Sequence, residues 1–228
     1  MLTKSNTLLA APLPAYLADP IIPRFSELGV FATTPHRAPN HILINEYKAG
    51  EGIMPHEDGA AYAPIVATVS LNASICLEVT AKGSPAPRAA TPATQTGSGA
   101  ASSEPDASSS EPVARGEDGG ENGERSAEEA KANASRVSLP ARILQEPRSL
   151  LLTTGAAYSD MLHGISPVDV DADLGAATVA NWGLLGDASV FEEVGGINQR
   201  GTRVSLTYRD VLRVSSAAGK VLGGLRKG

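Results

Sequence analysis

The chain has 228 residues, with 19 basic and 25 acidic side chains and a formal net charge of −6. Its single cysteine, Cys76, excludes an internal disulfide framework and any cysteine-built zinc module. No apolar run approaches 18 residues, so no membrane span is expected. The 52 residues from Ser84 to Ser135 contain one aliphatic side chain larger than Ala, Val113, and no aromatic. Such a stretch cannot bury enough apolar surface to offset its ordering entropy, so it reads as a disordered low-complexity insert. The other 176 residues suit one domain. The opening TLLAAPLPAYL is interrupted by Pro12 and Pro14 and is not expected to act as a signal peptide, which makes an intracellular location, cytoplasm or nucleus, the expectation.

Residues 1–40 are Pro-rich and read as an irregular lead-in with one short helix near Pro23 to Leu28. The first clear strand is His41 to Tyr47, followed by the Gly-rich turn KAGEG and then MPHED. Ile65 to Leu71 and Ile75 to Thr80 are short, β-branched and bounded by turn residues, so both are predicted strands. Beyond the insert, Arg142 to Leu144 and Ser149 to Thr153 read as strands, and Gly155 to Gly164 as a tight connection. Residues 166–200 look loop-like, with the lone Trp182 in a packing role. Arg203 to Arg209 alternates strictly: Val204, Leu206 and Tyr208 face one way, and Arg203, Ser205, Thr207 and Arg209 the other. Many short strands without a strong amphipathic helix indicate a mainly β fold, a sandwich or barrel. Cys76, inside an apolar strand, is expected to be a small core residue.

Four groups of residues point to chemistry. His56 and Asp58, two apart, project from one face of extended backbone, whereas Glu57 between them points away. His163 follows a strand and offers a second imidazole; His36 and His41 are the other two histidines. Two imidazoles and a carboxylate with open positions suit non-haem Fe(II), although His-x-Asp also occurs in ordinary polar turns. Arg203 and Arg209 lie six residues apart on one face, roughly 20 Å of extended chain. Two inward-leaning guanidiniums over that span leave a gap comparable to a short dicarboxylate. Asn45 and Tyr47 share a strand face and can donate hydrogen bonds to a carboxylate, or simply pack across strands. Residues 200–228 carry seven basic side chains against Asp210, a segment that suits phosphates as well as a solvated tail with two arginines that have a local job.

Taken together, NHILINEYKAGEGIMPHEDG, QEPRSLLLTTGAAYSDMLHGI and RGTRVSLTYRDVLRV resemble the AlkB family of Fe(II)/2-oxoglutarate-dependent dioxygenases, and among them the sixth vertebrate homologue type. The resemblance covers about residues 15–81 and 138–214. It implies a double-stranded β-helix (jelly-roll) core over residues 41–214, interrupted by the insert at 84–135 and followed by a basic tail at 215–228. It also implies His56, Asp58 and His163 as iron ligands and Asn45 and Tyr47 as hydrogen-bond partners of 2-oxoglutarate. Arg203 matches the arginine for the distal carboxylate and Arg209 the one nearer the keto-acid end. Ser205 stands where relatives often carry Asn. The implied reaction consumes O2 and 2-oxoglutarate and oxidatively demethylates alkylated nucleic acid, releasing succinate and CO2.

Two departures qualify that expectation. Family members usually carry a longer region before the first matched strand, with elements that grip a flipped base; here about 40 residues precede it. The expectation is therefore uncoupled oxidation of 2-oxoglutarate with weak or absent demethylation, and salt-sensitive, sequence-blind contact of nucleic acid through the basic C-terminal segment. The alternative is a catalytically poor metal-binding member acting as a regulatory or interaction protein. A cupin-like metal protein of another class leaves the two-arginine strand unexplained.

Overall fold

The computed structural model describes residues 2–83 and 139–215. The insert and the tail beyond residue 215 lie outside the described residues. In chain order the elements are β1 (Thr7–Leu9), α1 (Ala15–Ala18), α2 (Ile22–Glu27), β2 (His41–Tyr47), β3 (Ile53–His56), β4 (Tyr62–Asn72) and β5 (Ile75–Ala81). After the insert come β6 (Ala141–Gln145), β7 (Leu150–Thr154), α3 (Gly155–Ser159), β8 (Met161–Ile165) and β9 (Val170–Asp171). The described chain ends with α4 (Ser189–Glu192), β10 (Asn198–Gln199), β11 (Arg203–Val211) and β12 (Arg213–Ser215).

Eight of these strands form two antiparallel four-stranded sheets, ordered β2-β11-β4-β7 and β3-β8-β5-β6. Their inner faces meet: Ile75, Leu77 and Ile165 of the second sheet pack with Tyr47 and Leu151 of the first. β11 lies between β2 and β4, so both of its edges are paired, and its alternation sorts side chains between two interiors. Leu206 and Tyr208 pack outward from the first sheet against Phe25, Val30 and Phe31 of the N-terminal stretch. The Phe25 ring meets Tyr208 edge-on at 5.0 Å, and Tyr208 donates its hydroxyl to the Leu17 carbonyl at 2.8 Å. Arg203, Ser205, Thr207 and Arg209 point between the sheets.

The N-terminal stretch is more ordered than its composition suggested. It has two short helices rather than one, and β1 pairs in parallel with β12. It belongs to the same compact unit as the sheets. Its apolar side chains explain the difference, because they cover an aliphatic sheet face that would otherwise meet water. The stretch is also pinned by polar groups. Asp210, fully buried on β11, accepts from the His36 backbone N–H at 3.1 Å and from Asn40 Nδ2 at 2.9 Å, and its Oδ1 lies 2.5 Å from His36 Nδ1. Asn40 Oδ1 accepts from the Val211 N–H at 2.8 Å. Residues 166–200 cover the outer face of the second sheet: Leu174, Val179, Trp182 and Phe191 pack on Cys76 and Leu144. Burial pushes the Cys76 thiol up to about 11.

Two strands replace connections expected from the sequence. MLHGI is β8, in the middle of its sheet, and IMPH is β3, at that sheet's edge. The edge is where a strand tolerates Pro55, which has no N–H to give a neighbour. Gly164 lets the two strands approach, since a Cβ there would sit 3.0–3.1 Å from the backbone of Ile53 and Pro55.

Candidate functional site

A cavity of about 180 Å³ opens between the sheets. Asn45, Tyr47, His56, Asp58, His163, Arg203 and Arg209 all line it. They come from β2, β3 and the residues just past it, β8 and β11, and the antiparallel registers set their spacing. Tyr47 is opposite Arg203, Asn45 is opposite Ser205, and His56 is opposite His163.

At one end the two imidazole rings lie 4.4 Å apart, and His163 Nε2 is 3.9 Å from Asp58 Oδ2. His56 Nδ1 is 2.9 Å from the Met54 carbonyl, which fixes Nδ1 as the donor and leaves Nε2 with a free lone pair. Burial and the neighbouring His56 hold the His163 imidazole below its ordinary range, which favours the neutral, ligating form. Glu57 faces away and pairs with Lys82. Asp58 is engaged on its other oxygen, where Oδ1 accepts from Arg209 Nη2 at 2.5 Å. Arg209 also lies over the Tyr62 ring, 4.7 Å from its centroid. Among the described residues, no three His, Cys, Asp or Glu side chains have donors already drawn close enough to hold an ion. The donor chemistry fits Fe(II) nonetheless: two imidazoles from adjacent strands and a carboxylate just past one of them line one end of the cavity, and Arg209 holds the carboxylate in place.

At the other end, Arg203 is 3 % exposed and, among the described residues, meets no carboxylate. Its Nε and Nη2 donate to Ser70 Oγ at 3.2 and 2.8 Å, and Nη2 also donates to Gln145 Oε1 at 2.6 Å. Tyr47 flanks it, with the ring centroid 6.0 Å from the guanidinium carbon. Burial pulls the guanidinium down to about 10. A buried cation with only neutral partners costs several kcal/mol by itself. Ser70 and Gln145 were not singled out in the sequence, where nothing marks a Ser in one apolar strand or a Gln at the end of another.

The basic C-terminal segment requires a correction. Arg200, Arg203 and Arg209 are buried, so they are not available to a phosphate backbone. Arg200 makes an ion pair with buried Asp171 at 2.6 Å and donates to the Ser166 carbonyl at 2.6 Å. Arg213 is exposed, and the three remaining basic residues lie outside the described residues. Arg203 and Arg209 face inward as their strand face implies; Arg200, just before β11, is drawn in by buried Asp171, which a charge count along the chain does not see.

No family model matches the chain. It is 32 % identical over 210 residues, 92 % of its own length and 68 % of the relative's, to a zebrafish (Danio rerio) protein described as "Probable RNA/DNA demethylase ALKBH6".

Proposed function

The chain belongs to the AlkB family, and from that premise we propose that it is an Fe(II)- and 2-oxoglutarate-dependent dioxygenase acting on alkylated nucleic acid. The observation that carries the cofactor assignment is Arg203, a buried cation without a carboxylate partner, sharing a small cavity with two imidazoles and a carboxylate. The jelly-roll reading is supported by strand order. With β2 to β8 and β11 counted one to eight, the sheets run one-eight-three-six and two-seven-four-five, so the chain crosses repeatedly between them.

In this reading His56, Asp58 and His163 hold iron, which when bound supplies oxygen activation coupled to decarboxylation of the keto acid. Arg203 anchors the distal carboxylate with a charge-assisted hydrogen bond. Asn45 and Tyr47, on the facing strand, orient the bound acid from the side. Arg209 holds Asp58 and keeps the keto-acid end electropositive. Leu77, Leu151 and Ile165 narrow the cavity with apolar wall and exclude bulk water. An alkylated base would meet the metal end from outside, as a single strand or a flipped nucleotide. The test is succinate release from 2-oxoglutarate with and without Fe(II), alongside mass spectrometry of methylated DNA and RNA oligonucleotides. Iron-dependent succinate with loss of the methyl group supports the proposal. Absence of both overturns it, and succinate alone leaves the oxidase and removes the nucleic-acid substrate.

A further inference from the structure

Arg203 is held by residues from both sheets. Ser70 lies on β4, beside β11 in the first sheet, and Gln145 ends β6 in the second. Both are as deeply buried as the arginine, at 0 % and 3 % exposed. Ser70 Oγ accepts from Nε and Nη2 and passes its own proton to Gln145 Oε1 at 2.9 Å, so three groups form one closed hydrogen-bonded set across the sheets. Arg203 and the Ser70 hydroxyl both donate here, which requires the amide oxygen of Gln145, not its nitrogen, to face them.

This arrangement leaves a specific remainder. Nε–H and both Nη2 hydrogens are spent on neutral acceptors, while Nη1 has no partner among the described residues. Nη1 is also not among the sealed-off polar atoms, which are His41 Nδ1 and Arg209 Nε. A glutamate at position 145 would fill the same space and neutralise the arginine. The chain carries the amide, and the one carboxylate lining the cavity, Asp58, is taken up by Arg209 at the far end. We propose that Ser70 and Gln145 are positioning residues that hold Arg203 as an uncompensated cation with one open nitrogen, and so make the cavity select a dicarboxylate over a monocarboxylate. This rests on the 2-oxoglutarate reading and adds to it the residues that set co-substrate selectivity.

Gln145→Glu in the intact chain separates a selectivity role from simple packing. The substitution keeps the shape and adds a charge, so binding is unchanged only if the charge state at Arg203 does not set co-substrate affinity. The cradle instead gives roughly 30-fold or greater weakening of 2-oxoglutarate in a calorimetric titration, the size expected when a charge partner is taken away. Pyruvate, the keto acid lacking the distal carboxylate, should bind as in the parent, and the thermal midpoint should be equal or higher. Ser70→Ala and Gln145→Met keep the charge but release its donors. They should weaken 2-oxoglutarate about 2- to 12-fold, the value of one neutral hydrogen bond, and they serve as the readout if Gln145→Glu does not fold. Parent-like 2-oxoglutarate affinity in Gln145→Glu, with binding lost in Arg203→Ala, overturns the cradle and leaves the co-substrate reading standing. Failure of the parent chain itself to bind 2-oxoglutarate overturns both.

Discussion

Arg203 and Arg209 leave the same face of one strand and meet opposite surroundings. Arg209 is matched: it holds Asp58, lies over an aromatic ring and sits beside two imidazoles. Arg203 is as deeply buried and also has a ring beside it, but among the described residues its hydrogen bonds go to a hydroxyl and an amide and no carboxylate meets it. The cavity therefore has a charge-compensated end, suited to hold a metal, and an uncompensated end, suited to receive an anion. Residue type and strand face are equal for the two arginines, so the difference comes entirely from what the other strands bring. Asp58, two positions past the end of β3, supplies the carboxylate at one end, and neutral residues of β4 and β6 leave the other end open.

The comparison can be broken from either end. At the compensated end the largest effect is expected from His163→Ala, which should take succinate formation below detection while the circular dichroism spectrum is retained, because His163 is a partly exposed side chain lining a cavity. Full turnover in that variant would remove His163 from the metal set. At the open end, Arg203→Ala should weaken 2-oxoglutarate by about 2–4 kcal/mol by calorimetry, and Arg203→Lys should recover only part of it, since an ammonium cannot reproduce the planar fork. Equal affinity in the Ala variant would mean that the unmatched cation is not the anion site.

A backbone perturbation tests the compensated end less directly. Gly164→Ala places a Cβ against the backbone of β3, so that strand must move and carry His56 with it. A loss of about 1–3 kcal/mol of unfolding free energy is expected, with weaker metal binding and little change in metal-free affinity for 2-oxoglutarate. The smallest effect concerns His41, opposite Arg209 on β2, whose imidazole is held below its ordinary range by burial and then by the Arg209 charge. The unfolded chain then binds more protons than the folded one as pH falls below about 6.5, so stability is present above that value and declines toward acid. His41→Gln should flatten that slope in urea unfolding followed between pH 7 and pH 5; an unchanged slope would exclude His41 as its source.

The sequence made some of this legible. Strict alternation located β11 and separated its two faces, and the HILINEY run matched β2 end for end. His56 ends β3 and Asp58 follows two residues later, so local geometry alone sets which way the pair points. Other features depend on pairing between distant segments. Gln145 reaches Ser70 and Arg203 from positions 75 and 58 residues away, and Asp210 reaches His36 across 174. No local pattern records such contacts. β3 and β8 escaped notice because a Pro and a Gly read as punctuation within four and five residues, whereas in the sheet each marks a close strand approach. Arg200 read as part of a basic surface because charge along a chain is one-dimensional, and its burial with Asp171 is not.

The pairing of a metal end with an anion end is tested most directly by titrating 2-oxoglutarate into the intact chain by calorimetry, with and without Mn(II) as a redox-quiet substitute for Fe(II). One saturable site is expected, tighter when the metal is present, because each ligand then improves the other's binding by the same factor. No saturable binding of 2-oxoglutarate in either condition would contradict it.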